Sequence, residues 1–306
     1  MNATALLIAA TLAAGTPLAL AGLGLLINER VGILNLGAEG MMLIGALTGF
    51  AAAFHTGSDW LGLGAAALAA GAAATAFGGL VIWLNANQYA SGLALTLFGR
   101  GLTAFVGIGY VGQKLSERSE SAVPLLSELP FVGKALFSQH PVAYLTMALA
   151  VGLSWFLFRT RSGLVARAVG ESPEAAHALG YPVRWLRLLA VAAGGALCWV
   201  AGAYLSIIDT PLWVEDMTAG NGWIALALTV FATWRPGRVL LGAYLFGGVT
   251  ALQLRLQSWE YALPAEFMSM LPYLATVVVL VLISRRPIFI RLNMPASLGK
   301  PFFPGS

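Results

Sequence analysis

Glu171-Ser-Pro-Glu-Ala-Ala-His-Ala-Leu-Gly-Tyr-Pro182 is a polar stretch in a basic loop between two long apolar runs. Ser172 is a good N-cap, Pro173 suits the first helical position, and Glu174 complements the positive end of the helix dipole. Gly180 favours termination of the helix. The stretch therefore predicts a two-turn helix that connects two apolar segments.

This short helix has few apolar residues of its own: Ala175, Ala176, Ala178 and Leu179. Nucleating so short a helix costs more free energy than its few hydrogen bonds return, so it is marginal alone in water. Either the helix docks on a partner, or it is a capped surface helix in a solvated loop. Capping chemistry alone fits both interpretations equally well.

The whole chain is far more apolar than a soluble domain. Of its 306 residues, 58% are hydrophobic and 10% are charged, and the mean hydropathy is +0.80, whereas soluble domains carry about 25% charged residues. We therefore expect an all-α, polytopic membrane protein. Since each span takes about 20 residues, we expect one transmembrane domain over residues 1–306, with no room for an appended enzymatic domain.

Apolar runs predict about nine spans, with eight to ten as the range. They lie at residues 3–27, 32–54, 60–84, 90–111, 141–158, 188–208, 223–233, 239–254 and 268–284. The run 223–233 is too short to cross a bilayer comfortably. Small residues inside spans, such as Gly45 and Gly49, predict close helix packing. The single Cys198 lies in an apolar run and is predicted to be a small core residue.

Charge sets the expected orientation. The loop 159–187 carries five arginines against two glutamates, so by the positive-inside rule it faces the cytoplasm. The tail 285–306 is then cytoplasmic, the N-terminus lies outside, and the polar stretch 112–140 forms an external loop. The net charge of +4 comes from short clusters between spans, a pattern that indicates orientation in a membrane and no nucleic-acid partner.

Glu39 is the outstanding polar residue at membrane depth, where an unpaired charge costs roughly 2.5 to 3.5 kcal/mol. It follows Asn35, and on a continuing helix the two side chains share a face. Gly37 and Gly40 allow a helix break and a close approach of polar groups. Glu39 and Asn35 either line a polar translocation route or form an internal hydrogen bond that closes the break.

Other polar residues near spans are weaker candidates. Asn87 and Ser91, before the fourth span, either belong to the route or mark a turn, as do Asn85 and Gln88. We include Asn221 and Trp223, at the start of the short seventh run, among the route residues. Arg100 is expected to pair with a carboxylate or to extend its charge towards the interface. Residues 93–98 resemble residues 226–231, which weakly suggests two related halves.

Catalytic constellations are missing from the sequence. The three histidines, His55, His140 and His177, are far apart in loops, so we expect no metal site, no catalytic residue and no cofactor. No Gly-x-x-x-x-Gly-Lys-Ser/Thr motif for binding phosphates is present. If ATP drives this protein, another subunit must bind it.

Five stretches together carry a resemblance to a known family. They are Asn28-Glu-Arg-x-Gly-Ile-Leu-Asn-Leu-Gly-Ala-Glu-Gly-Met-Met42, Asn87-Gln-x-x-Ser-Gly-x-Ala-Leu95, Arg161-Ser-Gly-x-x-x-Arg-Ala-Val-Gly-Glu-x-Pro-x-Ala-Ala176, Thr210-Pro-Leu-Trp-Val-Glu-x-Met-Thr-Ala-Gly-x-Gly-Trp-Ile-Ala225 and Pro295-Ala-x-Leu-Gly-Lys-Pro301. The chain resembles permease subunits of ABC importers in the ribose and branched-chain amino acid superfamily. It is most similar to the nucleoside permeases of the basic membrane protein type.

The resemblance implies a type II ABC importer-like permease fold in the bacterial plasma membrane. It further implies that the short helix is the coupling helix, which docks into an ATP-binding subunit through residues Ser172, Pro173, Glu174, Ala175, Ala176 and Gly180. The implied partners are ATP-binding subunits, a second related permease, an extracellular substrate-binding lipoprotein and membrane lipid. The permease itself performs no bond chemistry.

Three functions compete at this point. The first is an ABC permease for nucleosides, and the second is an ABC permease for a monosaccharide or another small polar solute. The third is an ion-coupled secondary transporter, which needs intramembrane carboxylates that titrate during transport. Glu39 keeps the third function open, but the capped cytoplasmic helix argues against it.

Overall fold

The computed structural model describes residues 3–115, 133, 136–257 and 293–303, together with a few single positions between 267 and 281. Its α-helices are α1 (Ala3–Arg30), α2 (Ala38–Thr56), α3 (Asp59–Ile82), α4 (Gln88–Gly107), α5 (Pro141–Arg159), α6 (Arg161–Glu171), α7 (Pro173–Ala178), α8 (Val183–Tyr204), α9 (Asn221–Phe231) and α10 (Pro236–Gln257). A 3₁₀ turn, Ile108–Tyr110, follows α4, and a π-helical turn, Leu205–Asp209, follows α8.

The described chain is all-helical and polytopic, as predicted. Seven of its helices are long and apolar enough to cross a membrane, namely α1 to α5, α8 and α10. Most of the predicted ninth span, 268–284, and most of the external loop 112–140 lie outside the described residues, so the count of nine stays a prediction. The seventh run is confirmed as a short helix of 11 residues, α9.

The boundaries of two predicted segments are wrong. The second span does not begin near Gly32, because residues 31–37 are non-helical and α2 starts at Ala38. The loop 159–187 contains an unpredicted amphipathic helix, α6, whose first turn is capped by the Thr160 hydroxyl oxygen accepting from the Gly163 N–H (3.0 Å). These short or irregular segments carry too weak a periodic signal to be placed from hydropathy alone.

Small residues hold the core together. Gly45 and Gly49 both face α8, where an added Cβ would collide with the backbone of Trp199 and the side chain of Ala203. This confirms the predicted close packing. In lipid, close packing stabilises helix contacts because the hydrophobic effect does not drive helices together there. Cys198 is fully buried in the same core, as predicted.

The C-terminal residues 293–303 close over one end of the bundle, which we call the tail face. The Gly299 N–H donates to the Gly32 carbonyl just beyond α1 (3.1 Å), and the Ser297 N–H donates to the Gly170 carbonyl in α6 (2.9 Å). The tail face therefore joins segments that are distant in sequence.

The short helix α9 is the second half of a broken crossing. The segment 210–220 starts at the end opposite the tail face, where the Leu115 N–H donates to the Pro211 carbonyl (3.0 Å). After α9 the chain reaches the tail face, where the Arg30 guanidinium donates to the Trp234 carbonyl (2.7 Å). An 11-residue helix suffices here because non-helical backbone covers the rest of the distance.

Candidate functional site

The Glu39 carboxylate joins α2 to the start of α9. Its Oε1 accepts from the Thr218 hydroxyl (2.5 Å) and the Gly220 N–H (2.9 Å), and its Oε2 accepts from the Gly222 N–H (2.7 Å). The side chain is buried, with 3% of its surface exposed. Glu39 lies in the first turn of α2 and faces the N-terminus of α9, so the positive ends of two helix dipoles stabilise its negative charge.

Close backbone contact makes this junction possible. A Cβ on Gly222 would lie 2.5 Å from the Glu39 nitrogen, and a Cβ on Gly40 would lie 2.5 Å from the Leu95 carbonyl oxygen in α4. Gly220 adopts a φ of 87° at the N-cap of α9, a left-handed conformation that favours glycine. The glycines around Glu39 therefore allow three segments to meet at one buried carboxylate.

Asn35 precedes α2 rather than lying on it. Its Oδ1 accepts from the Gly37 N–H (2.9 Å), and its Nδ2 approaches the Met41 sulfur (3.4 Å). The expectation that Asn35 and Glu39 share a helix face is wrong, because this local side-chain bond competes with helix formation and ends the non-helical segment 31–37. Asn35 therefore makes a local hydrogen bond beside the helix break, and its place in a translocation route stays a prediction.

Asn87 and Ser91, two more of the predicted route residues, lie at the start of α4. The Asn87 Oδ1 caps α4 by accepting from the Tyr89 N–H (2.9 Å) and the Ala90 N–H (3.1 Å), so the predicted turn is confirmed there. Ser91, in the first turn of α4, is partly buried. Within the part of the chain that the structure describes, neither side chain hydrogen-bonds to Glu39.

Asn221 and Trp223 lie beside the Glu39 junction, on either side of Gly222. Asn221 is partly buried, and Trp223 is 40% exposed in the first turn of α9. Because Gly222 donates to Glu39, its two neighbours in the chain, both predicted route residues, lie next to the carboxylate.

Arg100 pairs with a carboxylate, which is one of the two outcomes expected for it. Its guanidinium donates to Asp216 at 2.6 Å, and about half of each side chain is exposed. Asp216 belongs to the same segment, 210–220, that supplies donors to Glu39. Hydropathy marked Arg100 as unusual, but nothing in the sequence identified its partner 116 residues away.

The predicted short helix is present as α7. The Ser172 Oγ caps it by accepting from the Ala175 N–H (3.2 Å), and Gly180 ends it with a φ of 88°. Pro173 and Ala176 are buried against the protein. The opposite side of the helix, with Glu174, Ala175 and Ala178, is exposed, and so are the two apolar residues that follow, Leu179 (78%) and Tyr181 (41%).

The tail contacts α7 through the Phe302 side chain. The Phe302 ring lies edge-on to the His177 ring of α7 (5.7 Å between centroids) and beneath the Arg187 guanidinium of α8 (5.9 Å). The Arg187 guanidinium also donates to the Ser297 hydroxyl (3.1 Å). The position of α7 is therefore set by the tail and α8 together.

A second buried carboxylate, Glu29, was missed by the sequence analysis, which placed the end of the first span before it. It lies in the last turn of α1, and its Oε2 accepts from the indole N–H of Trp234 (2.5 Å). Trp234 is 1% exposed, so its indole is buried together with the carboxylate. The adjacency of Asn28, Glu29 and Arg30 was the available signal, since three polar residues rarely end a span without partners.

Within the described residues, no group of three or more histidine, cysteine, aspartate or glutamate side chains is placed to hold a metal ion.

Comparison of the whole chain with known proteins identifies its family. Residues 7–282 match the family model described as branched-chain amino acid transport system / permease component. The chain is 46% identical to the putative glucose ABC transporter permease protein TsgC13 of Haloferax volcanii, over 97% of both chains. It is 32% identical to the nucleoside ABC transporter permease protein NupC of Lactococcus lactis, over 92% of this chain and 93% of the relative.

A third relative agrees with these two. The chain is 32% identical to the guanosine ABC transporter permease protein NupQ of Bacillus subtilis, over 98% of this chain and 97% of the relative. No solved structure matches the chain. The chain therefore belongs to the family of branched-chain amino acid transport system permease components and is an ABC transporter permease subunit.

Proposed function

We propose that this permease forms half of an ATP-driven import pathway for a small neutral solute that carries several hydroxyl groups. The observation that carries the proposal is α7, a capped helix with an exposed apolar edge on the tail face of a membrane-spanning chain. The nucleoside was our first expectation, and the relatives named for nucleoside and guanosine transport support it. The relative named for glucose, at 46% identity, supports a monosaccharide as the second candidate.

The exposed edge of α7 suits a partner that supplies an apolar groove. Leu179 is 78% exposed, and burying a leucine side chain stabilises a complex by about 1.5 to 3 kcal/mol. Ser172, Pro173 and Gly180 fix the shape of the helix, and Glu174 and Ala175 face outward with Leu179. A separate ATP-binding subunit is the partner that this arrangement serves in an ABC permease.

The tail face is then the cytoplasmic face. The arginines of residues 159–187 lie on α6 and at the ends of its neighbours, and the positive-inside rule places them in the cytoplasm. This orientation puts the N-terminus outside, in the plasma membrane. The substrate-binding lipoprotein approaches the opposite face, and a second related permease completes the pathway.

The Glu39 junction serves as the fixed centre of the pathway. It binds α2 to the half-helix α9, and the neighbouring Asn221 and Trp223 border the route. Broken helices whose N-termini meet at mid-membrane are a recurring way to present polar groups to a solute. Glu39 accepts hydrogen bonds from three donors, which supports a structural role for this carboxylate in joining α2 to α9.

The test is to extract the protein from its native membrane in mild detergent and identify its bound partners by mass spectrometry. We expect a P-loop ATPase and a second permease. The complex is then reconstituted with its binding protein, and uptake of radiolabelled guanosine and glucose is compared. ATP-dependent uptake of one of them supports the proposal. A chain that purifies alone and transports with an ion gradient overturns it.

A further inference from the structure

The ion pair between Arg100 and Asp216 lies at the middle of α4 rather than at its end. Gln88, the first residue of α4, contacts the tail through its amide, which donates to the Lys300 carbonyl (3.5 Å). Arg100 is about 18 Å further along the helix axis, and the end of the following 3₁₀ turn lies roughly 15 Å beyond that. Both distances are close to half of a hydrocarbon layer of about 30 Å.

A second contact gives the same depth. A Cβ on Gly99 would lie 2.7 Å from the Gly40 Cα, so the residue next to Arg100 packs against the residue next to Glu39. Arg100 is therefore level with the Glu39 junction.

The pair is exposed although it lies at this depth. The relative exposures of the Arg100 and Asp216 side chains are 54% and 46%. An arginine or aspartate at mid-membrane faces protein or a water-filled cavity, because lipid chains offer no hydrogen bonds. The side of α4 that carries Arg100 therefore does not suit contact with lipid.

Asp216 is held in place from both sides. On one side, Trp213 is buried and packs on Gly107 of α4, where an added Cβ would lie 2.5 Å from the indole nitrogen. On the other side, Thr218 donates to Glu39. The carboxylate is thus positioned by anchors two or three residues away, so the ion pair is a fixed feature of this surface.

We propose that the face of α4 carrying Leu97 and Arg100, together with Asp216, lines the water-filled route, and that the ion pair binds hydroxyl groups of the passing solute. A guanidinium donates and a carboxylate accepts hydrogen bonds, which matches hydroxyl groups that do both. This pairing selects neutral polyhydroxylated molecules, since each charge already has its counter-ion. The inference rests on the proposed function, because it assumes a route through this subunit.

The first experiment measures water access without any need for transport. In a Cys198→Ala background, Leu97→Cys is compared with Val151→Cys in the assembled complex. Leu97 lies one turn from Arg100 and is 69% exposed, while Val151, midway along the uncharged stretch of α5, is 70% exposed. We expect a charged, water-soluble methanethiosulfonate reagent to modify Leu97→Cys at least about tenfold faster. Equal rates would mean that lipid or the second permease covers both faces, and would overturn the inference.

The second experiment tests solute binding by the pair. Arg100→Lys and Asp216→Asn are assayed for uptake of radiolabelled guanosine and glucose, with Glu215→Gln, an exposed neighbour, as the matched control. We expect the solute concentration for half-maximal uptake to rise about tenfold in the first two variants, with subunit assembly unchanged. A change below twofold overturns the binding role. If neither solute is transported by the unmodified complex, the proposed function fails, while the labelling experiment still decides whether this face meets water.

Discussion

The Oε2 of Glu39, in the first turn of α2, accepts a hydrogen bond of 2.7 Å from the backbone N–H of Gly222, in the first turn of α9. The two residues are 183 positions apart, and their helices meet at their positive ends. A buried carboxylate is tolerated there because donors and helix dipoles offset the loss of water. This bond joins α2 and α9 into one structural unit. The unit lies beside α4 at Gly99, next to Arg100.

Replacing Glu39 by alanine is expected to loosen this unit. The donors of Thr218, Gly220 and Gly222 would lose their acceptor, and each unsatisfied buried group costs about 1 to 3 kcal/mol. We expect the midpoint of thermal unfolding of the purified protein to fall by about 5 to 10 °C, with a smaller fall for Glu39→Gln, which keeps one acceptor. Glu215→Ala, on an exposed acidic residue, is the control. An unchanged midpoint with lost uptake would instead favour a direct role of Glu39 in the route.

The exposed edge of α7 is expected to matter for partner binding and not for folding. Leu179→Asp places a charge where a groove of the ATP-binding subunit would close. We expect this variant to lose copurification of that subunit at least about tenfold, with an unchanged thermal midpoint, because the side chain is 78% exposed. Glu174→Trp should act in the same way. Val111→Asp, at the opposite end of the molecule and 58% exposed, is the control, and equal copurification of all variants would contradict docking through α7.

The tail is expected to transmit movement of α7 into the bundle. Phe302 is 4% exposed and touches both His177 and Arg187, whereas the adjacent Phe303 is 52% exposed. We expect Phe302→Ala to reduce substrate-stimulated ATP hydrolysis of the reconstituted complex severalfold, since truncating a buried aromatic ring removes about 3 to 5 kcal/mol of packing. Phe303→Ala should leave it near the unmodified level. Equal hydrolysis rates for the two variants would exclude this role.

His140 gives the fold a dependence on pH. Burial lowers the pKa of the His140 imidazole, and the Nδ1 of the neutral ring accepts from the Val142 N–H at the start of α5 (3.3 Å). The folded state therefore binds fewer protons than the unfolded state, in which the histidine pKa is about 6.5. The contribution of His140 to the free energy of unfolding is therefore constant above that pH and falls as the pH drops below it.

The measurement is the thermal midpoint at pH 7.5 and pH 5.5 for the unmodified protein and for His140→Asn. Asparagine keeps an N-cap acceptor but does not titrate. We expect the unmodified protein to lose a few degrees more than the variant over this range. Identical losses would show that His140 does not contribute to the pH dependence.

Features with a strong local cause were predicted well from the sequence. The α7 helix follows from Ser172, Pro173 and Gly180, which act within one or two turns, and its observed caps are the predicted ones. The long spans follow from hydropathy, and the short run that became α9 was recognised as too short to cross. The start of α2 was placed too early, although Gly37 and Gly40 indicated a helix break, because hydropathy records the apolar residues of segment 31–37 and not the Asn35 side-chain bond that competes with the helix there.

Features made by distant residues could not be predicted in the same way. Glu39 was recognised as a buried polar residue, but its three donors lie near residue 220, and Glu29 was missed because its partner Trp234 is 205 positions away. Arg100 was expected to have a partner without any indication of which carboxylate it was. Each of these pairs depends on helix packing that no local pattern encodes.

By itself, the sequence determined that this is a helical membrane protein with a capped polar helix between two spans, because hydropathy and capping act over a few residues. Only the tertiary structure decided that Glu39 joins two broken segments, that the tail holds α7, and that Arg100 of α4 meets Asp216. The physical reason is that buried polar groups must find partners, and which partner each one finds is set by the close approach of helices at glycines such as Gly40, Gly99 and Gly222.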